Sequence, residues 1–137
     1  MLINVPKDLG KPEPVMAGIY KVLVTGVKVD QSKSGSGNML IKPELTIQTQ
    51  NDADGKKVLG RKVFDNWTVA EQSIGIWATS YKALTGEDLP SGQFELDEFI
   101  NMITSKIQGK ECLIMIEVET KEDVSRNRIK KYSALAA

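Results

Sequence analysis

The fold of this chain is decided by the segment Gly18-Ile19-Tyr20-Lys21-Val22-Leu23-Val24-Thr25-Gly26-Val27-Lys28-Val29. Large apolar side chains recur at every second position from Tyr20, as expected for a β-strand with one buried face. Gly26 interrupts this alternation, and a glycine at such a point is typical of a β-bulge. We therefore predict a long first strand that bends near Gly26.

The rest of the chain contains more strand patterns and two helical ones. Alternating segments predict strands at about residues 41–48, 61–67, 111–119 and 126–132. Two apolar stripes with a helical period predict helices between the third and fourth strands. The first helix is expected to start with a capping box of Thr68 and Glu71 and to stop at Gly86. The second is expected to end at Gly109.

The order of these elements is that of an OB-fold, which is a five-stranded Greek-key barrel. The expected class is therefore mainly β, with two helices inserted between strands three and four. A bend near Gly26 agrees, because the first strand of such a barrel serves both of its halves. An SH3-like barrel or an open α+β sheet is the alternative. We expect an extended arm at residues 1–17, one domain at 18–133 and a short tail at 134–137.

The composition limits the possible functions. The chain has 137 residues, which suffices for one domain with a buried core. Lys plus Arg and Asp plus Glu both number 18, so the net charge is zero and any nucleic-acid site must be a local patch. Without histidine and with the single cysteine Cys112, the sequence excludes histidine-dependent nucleophiles and the usual structural zinc sites. We expect no cofactor and assign Cys112 to the core.

The N-terminal sequence Met1-Leu2-Ile3-Asn4-Val5-Pro6-Lys7 does not have the pattern of a signal peptide, because no basic region precedes a long apolar run. No apolar segment approaches the roughly 20 residues that a membrane helix needs. We therefore expect a cytoplasmic protein without a membrane partner.

Basic and aromatic residues fall where an OB-fold usually binds its ligands, on strands two and three and on the flanking loops. Cations there can contact phosphates, and rings can stack on the bases of a single-stranded nucleic acid. The predicted contact residues are Lys33, Lys42, Arg61, Lys62, Phe64, Arg126, Arg128, Lys130 and Tyr132. Phe64 is the predicted stacking residue, whereas Trp67 has the opposite phase and is assigned to the core. Alternation along the last strand places Arg128, Lys130 and Tyr132 on one face.

An enzymatic alternative rests on Glu119-Thr120-Lys121, which matches part of a metal-dependent nuclease motif. Such a site also needs a preceding acidic residue on an adjacent strand. Asp97 falls in the predicted second helix, and Asp65, although it falls in a strand, has no supporting motif. No glycine-rich phosphate loop is present, so nucleotide hydrolysis is unsupported. We favour a non-enzymatic protein. A protein-interaction module is the other alternative, and the zero net charge favours it.

Several segments resemble a phage family of small proteins that is labelled as a domain of unknown function and is related to phage single-stranded DNA-binding proteins. They occur in the family's order over about residues 14–133, and they are Ala17-Gly18-Ile19-Tyr20-Lys21-Val22, Ser32-Lys33-Ser34-Gly35-Ser36-Gly37-Asn38, Gly60-Arg61-Lys62-Val63-Phe64-Asp65-Asn66, Gly109-Lys110 and Arg126-Asn127-Arg128-Ile129-Lys130-Lys131-Tyr132. The resemblance implies an OB-like fold and non-enzymatic binding of single-stranded DNA in phage replication or recombination. It also implies phosphate contacts from Lys33, Arg61, Lys62, Arg128 and Lys130. Base stacking would come from Phe64 or Tyr132.

The resemblance further implies replication or recombination proteins as partners, in the cytoplasm of the host cell if the protein is phage-encoded. The exposed strand edges of a small barrel are compatible with a homodimer. Many single-stranded DNA-binding proteins end in an acidic tail that recruits partners, whereas this chain ends Ser133-Ala134-Leu135-Ala136-Ala137. We therefore expect either that recruitment involves another part of the protein or that the protein has no such role.

Overall fold

A computed structural model describes residues 1–3, 5, 13–32 and 37–135. These residues form one antiparallel sheet of six strands and two helices, which confirms a mainly β protein with a two-helix insert. The strands are β1 (Gly18–Gln31), β2 (Met39–Ile47), β3 (Lys62–Phe64), β4 (Trp67–Val69), β5 (Glu111–Lys121) and β6 (Val124–Ser133). The helices are α1 (Glu71–Thr85) and α2 (Leu96–Ile107).

The longest strand, β1, lies in the middle of the sheet, between β2 and β5. The strand order is β3-β2-β1-β5-β6, and β4 pairs with β2 next to β3. The register of β1 against β2 shifts between Val24 and Gly26, which confirms the predicted bulge. Because a bulge bends its strand, β1 can pair with neighbours on both sides while the sheet curves.

The predicted third strand is divided into β3 and β4, and Pro43 of β2 accounts for the division. The registers of β3 and β4 on β2 place Pro43 opposite Asp65. The Asp65 N–H donates to the Pro43 carbonyl at 3.3 Å, but proline has no N–H with which to return the bond. The ladder is therefore interrupted at this point, and the sheet has six strands where five were predicted.

The sheet is not closed into a barrel, because no ladder joins β3 or β4 to β6 among the residues described. Side chains bridge the two edges instead. The Tyr132 hydroxyl of β6 donates to Asp65 Oδ2 at 2.7 Å. The Tyr132 ring also meets the Trp67 ring of β4 edge-on, with centroids 6.1 Å apart. Helix α1 packs against both β4 and β6, so it covers the same gap.

Residues 13–17 connect the two edges at another point of the gap. Val15 is only 2% exposed, and both of its backbone polar groups bind the side chain of Asn127 in β6. The Asn127 Oδ1 accepts from the Val15 N–H at 2.8 Å, and its Nδ2 donates to the Val15 carbonyl at 2.7 Å. At the β3 edge, the Arg61 guanidinium donates to the Glu13 carbonyl. This part of the predicted arm is therefore packed on the sheet.

The helices differ from the prediction only at the start of α1. Thr68 belongs to β4, where it pairs with β2, and Ala70 occupies the N-cap position without a side-chain cap. The predicted capping box of Thr68 and Glu71 is therefore wrong. Gly86, with a φ of 77°, ends α1 as predicted, and α2 ends just before Gly109. Within the described residues, no helix is long and apolar enough to cross a membrane.

The core lies between the sheet and the helices and contains buried side chains from all of these elements. Trp67 of β4 is 1% exposed, which confirms its assignment to the core, and it stacks on Trp77 of α1 with centroids 5.0 Å apart. Cys112 of β5 is also fully buried, as predicted. Burial raises the pKa of the Cys112 thiol to about 12, so this side chain behaves as a small apolar residue.

The turn between β5 and β6 holds two non-glycine residues in a strained backbone conformation. Its two residues, Glu122 and Asp123, both have positive φ angles, of 51° and 65°. Such a two-residue turn suits Asn-Gly, because longer L side chains are strained there. We expect the double variant E122N/D123G to gain roughly 1 kcal/mol of stability, measured as a higher urea midpoint at an unchanged m value. The variant E122A/D123A removes the charges but keeps the backbone strain. An equal gain in stability for this variant would contradict relief of strain as the cause.

Candidate nucleic-acid interface

The outer face of β2 and β3 carries the first group of predicted contact residues. Lys62 and Phe64 point outward on either side of the buried Val63. The Phe64 ring is 63% exposed. In the register, Lys62 lies opposite Thr46 of β2, and Phe64 lies opposite Glu44. An exposed aromatic ring and a cation therefore lie next to each other on an open sheet surface.

Carboxylates neutralise the lysines of this face. Lys62 Nζ lies 2.7 Å from Glu44 Oε1, and Lys42 Nζ lies 3.5 Å from Asp30 Oδ2. The hydrogen bond from Lys62 holds the pKa of Glu44 below its usual value. A backbone hydrogen bond from Gln31, followed by the bond from Lys42, lowers the pKa of Asp30. Because these ion pairs lie at the surface and are partly exposed, they contribute little to stability, and a phosphate can compete for either lysine.

Two further predicted phosphate contacts stay predictions. One N–H of the Arg61 guanidinium donates to the carbonyl of Glu13, and this bond holds residue 13 against the sheet. The other N–H groups of the guanidinium can still donate to a phosphate. Lys33 lies outside the described residues.

The two arginines of β6 form ion pairs across the strand ladder with β5. Arg126 Nη2 lies 3.8 Å from Glu119 Oε2, and Arg128 Nε lies 4.0 Å from Glu117 Oε1. The two arginine side chains are largely exposed, and the two glutamate side chains are partly exposed. These arginines belong to the opposite end of the strand order from β3, so they lie across the gap between the two edges of the sheet from the β2–β3 face.

A β-bulge in β6 overturns the prediction that Arg128, Lys130 and Tyr132 share one face. The register of β6 against β5 skips Lys130, which is therefore the extra residue of the bulge. Arg128 remains exposed, whereas Tyr132 turns into the core. The sequence contains a signal for this bulge, because the inward residues Ile129 and Tyr132 are separated by two lysines rather than by one polar residue.

The stacking role predicted for Tyr132 is therefore wrong, because its ring is buried. The side chain is 9% exposed, and its hydroxyl donates to Asp65 Oδ2. Burial, followed by the charge of Asp65, raises the pKa of Tyr132 well above its usual range. Tyr132 thus remains a neutral hydrogen-bond donor inside the core.

A cleft with a volume of about 440 Å³ lies between β4, α1 and β6. Its lining includes three of the predicted contact residues, Arg128, Lys130 and the buried Tyr132, and it adds Lys131, which the sequence analysis did not select. The lining also provides several polar groups without charge, from Asn66, Thr68, Ser73, Thr79 and Ser80. This cleft therefore combines cations with neutral hydrogen-bonding groups.

A second, larger cleft of about 860 Å³ lies between α1, α2 and the segment that connects them. Its charged lining residues are the glutamates Glu71, Glu95 and Glu98. Because these carboxylates would repel a phosphate, this cleft is unsuited to a nucleic-acid backbone.

The residues of the nuclease alternative are not brought together. Glu119 is paired with Arg126 on the β5–β6 hairpin, whereas Asp65 accepts from Tyr132 at the other edge of the sheet. Asp97 lies in the first turn of α2. The described residues contain no group of three or more acidic or cysteine side chains that could hold a metal ion.

The arrangement therefore has two parts, which are the outer face around Phe64 and the basic cleft beside β6. Phe64 provides an exposed ring, and Lys42 and Lys62 provide cations that are paired but accessible. No protein-family model matches this chain, and a comparison with curated proteins finds no match either.

Proposed function

We propose that this protein binds single-stranded DNA without sequence preference, through the outer face of β2 and β3. The observation that carries the proposal is the 63% exposure of Phe64 beside Lys62 on an open sheet surface. A ring in this position can stack on any base, and a neighbouring cation can contact the phosphate backbone. Stacking does not depend on base identity, so it gives affinity without sequence preference.

We also infer that the domain is an OB-like barrel in which side chains bridge the last gap. Two features support this inference. The central strand β1 bends at a bulge and pairs on both sides, and the gap between β3 and β6 is spanned by residues 13–17 and by the Asp65–Tyr132 bond. The OB-fold is a partly open Greek-key barrel, which agrees with an incomplete ladder.

The ion pairs on the proposed face explain how a chain with zero net charge can bind a polyanion. Lys62 and Lys42 are held at the surface by Glu44 and Asp30, so they are positioned before the ligand arrives. A phosphate can replace either carboxylate at little cost in stability. The remaining repulsion between Glu44 and the DNA backbone should keep the affinity moderate. Binding involves no bond making, so the proposed function is non-enzymatic.

The resemblance of its segments to phage proteins supports a role in phage DNA replication or recombination, in the host cytoplasm. A protein-interaction module is the second candidate. It is favoured by the pairing of Lys42, Lys62, Arg126 and Arg128 with carboxylates, because paired charges on a neutral protein can serve solubility alone.

A titration of the purified protein with labelled oligo-dT and a matched duplex separates these candidates. We expect fluorescence anisotropy to show binding to the single strand and much weaker binding to the duplex, whose bases are not available for stacking. Affinity for the single strand should fall with salt, with a slope of about −0.7 in log K against log salt for each phosphate contacted. Flat curves for both ligands at low salt would contradict the proposal and favour a protein partner.

A further inference from the structure

We infer that the cleft between β4, α1 and β6 is a phosphate-binding subsite that holds the backbone of the same DNA strand beyond Phe64. This inference rests on the proposed function and extends it to a part of the surface that lies off the β2–β3 face. The residues that would contact the phosphates are Lys130 and Lys131, with Arg128 at the same cleft.

The charge of the cleft suits an anion better than the charge of the sheet face does. Within the described residues, no ion pair involves Lys130 or Lys131. Asp65 is the only carboxylate among the described lining residues. Its Oδ2 accepts from the Tyr132 hydroxyl at 2.7 Å and from Trp67 Nε1 at 3.2 Å, and its Oδ1 accepts from the Asn66 N–H at 2.8 Å, so both of its oxygens are held by donors of the protein itself. The cleft therefore presents unneutralised lysines to a ligand.

The bulge at Lys130 creates this pair of lysines. In a regular strand, neighbouring side chains point to opposite faces, so one of the two would face the core. The extra residue leaves both Lys130 and Lys131 exposed, between the inward-facing Ile129 and Tyr132. Bulges commonly re-aim side chains at binding sites, and here the result is two adjacent cations at one edge of the sheet.

Neutral groups around the lysines match the oxygens of a phosphodiester. Thr68 of β4 and Ser73, Thr79 and Ser80 of α1 bring hydroxyls to the cleft, and Asn66 brings an amide. Hydroxyl and amide groups can donate hydrogen bonds to phosphate oxygens, which have acceptor capacity only. Among the described lining residues no aromatic ring is exposed, because Trp67, Trp77 and Tyr132 are all buried, so this subsite is suited to the backbone rather than to a base.

The cleft also continues the proposed binding face. Lys62, Phe64 and Asn66 are the exposed residues of this segment, at alternate positions, and Asn66 lines the cleft. Two residues of extended chain span about 7 Å, so a strand with one base on Phe64 can place its next phosphates at the cleft. A single extended ligand can therefore occupy both parts of the surface.

Lysine footprinting on the wild-type protein tests the inference directly. With saturating oligo-dT at low salt, we expect acetylation of Lys130 and Lys131 to fall severalfold, as measured by mass spectrometry of the peptides. Lys57 and Lys121 are matched controls, because they are exposed and form no ion pair in the described part of the chain, and neither lines the cleft. Their acetylation should not change.

The double variant K130Q/K131Q provides a second measurement. Its salt slope for oligo-dT should be shallower than that of the wild type by about 1.4, the value for two lost phosphate contacts on a single strand. The control variant K57Q/K121Q should keep the wild-type slope.

The outcomes distinguish the subsite from the proposed function. Binding that requires Phe64 but leaves the labelling and the slope unchanged would overturn the subsite alone. A wild-type protein that does not bind oligo-dT would overturn both. Protection of Lys130 and Lys131 by a polyglutamate peptide, without protection by oligo-dT, would make the cleft a site for acidic proteins and would also overturn the inference.

Discussion

Replacing Asp65 with alanine is expected to lower the free energy of unfolding by roughly 2–4 kcal/mol, because two donors lose their charged acceptor. These donors are the Tyr132 hydroxyl and Trp67 Nε1, which bind the same carboxylate oxygen at 2.7 and 3.2 Å. Both rings are buried, so neither donor can readily turn to water. Urea unfolding followed by tryptophan fluorescence measures the change, since Trp67 and Trp77 lie beside the lost bonds.

Three further variants distinguish the loss of the Asp65 hydrogen bonds from a general effect of removing a charge. D65N keeps an acceptor oxygen and should lose much less stability than D65A. Y132F removes only one donor and should cost roughly 1–2 kcal/mol. D54A, in an exposed turn, should stay within about 0.5 kcal/mol of the wild type. Equal losses for D65A and D54A would show that Asp65 does not hold the two edges of the sheet together.

Replacing Phe64 with alanine is expected to reduce the affinity for oligo-dT by roughly ten- to a hundredfold, the effect of losing one stacked base. The ring is 63% exposed, so its removal should change the stability by no more than about 0.5 kcal/mol. Fluorescence anisotropy at a fixed salt concentration measures the affinity, and the urea midpoint verifies that the variant is folded. The salt slope should remain close to the wild-type slope, because the phosphate contacts are retained.

Matched variants identify stacking as the cause. F64W keeps an aromatic face and should bind at least as well as the wild type, whereas F64L keeps an apolar side chain and should lose most of the affinity. F94A removes another exposed ring, which is 45% exposed in the cleft between the helices, and should bind normally. If F64A bound oligo-dT as tightly as the wild type, the interface would have to lie elsewhere.

Much of the fold could be predicted from the sequence, because it depends on local patterns. The alternation from Tyr20 identifies β1, Gly26 marks its bulge, and Gly86 marks the end of α1. The opposite phases of Phe64 and Trp67 correctly separated an exposed ring from a buried one. Each of these features is determined by the side-chain periodicity of its own segment.

The partners of the predicted contact residues could not be predicted in the same way, because these partners come from distant parts of the chain. Glu44 neutralises Lys62 only through the register of β2 and β3. Arg61 donates to a backbone carbonyl of residue 13, and no local pattern indicates that contact. The burial of Tyr132 is different, because it could have been predicted from the sequence. The two lysines between the inward residues Ile129 and Tyr132 indicate the bulge at Lys130.

The contact of residues 13–17 with β6 has a consequence for how the protein folds. The bonds between Val15 and Asn127 join residues that are 112 positions apart. A chain must lose considerable conformational entropy before such a distant contact forms, and contacts of this kind slow folding. The gap between β3 and β6 should therefore be bridged late, after the local pairs β1–β2 and β5–β6 have formed. Until β6 has been synthesised, the edge of β3 is uncovered, so the nascent chain is most prone to edge-to-edge aggregation during that interval.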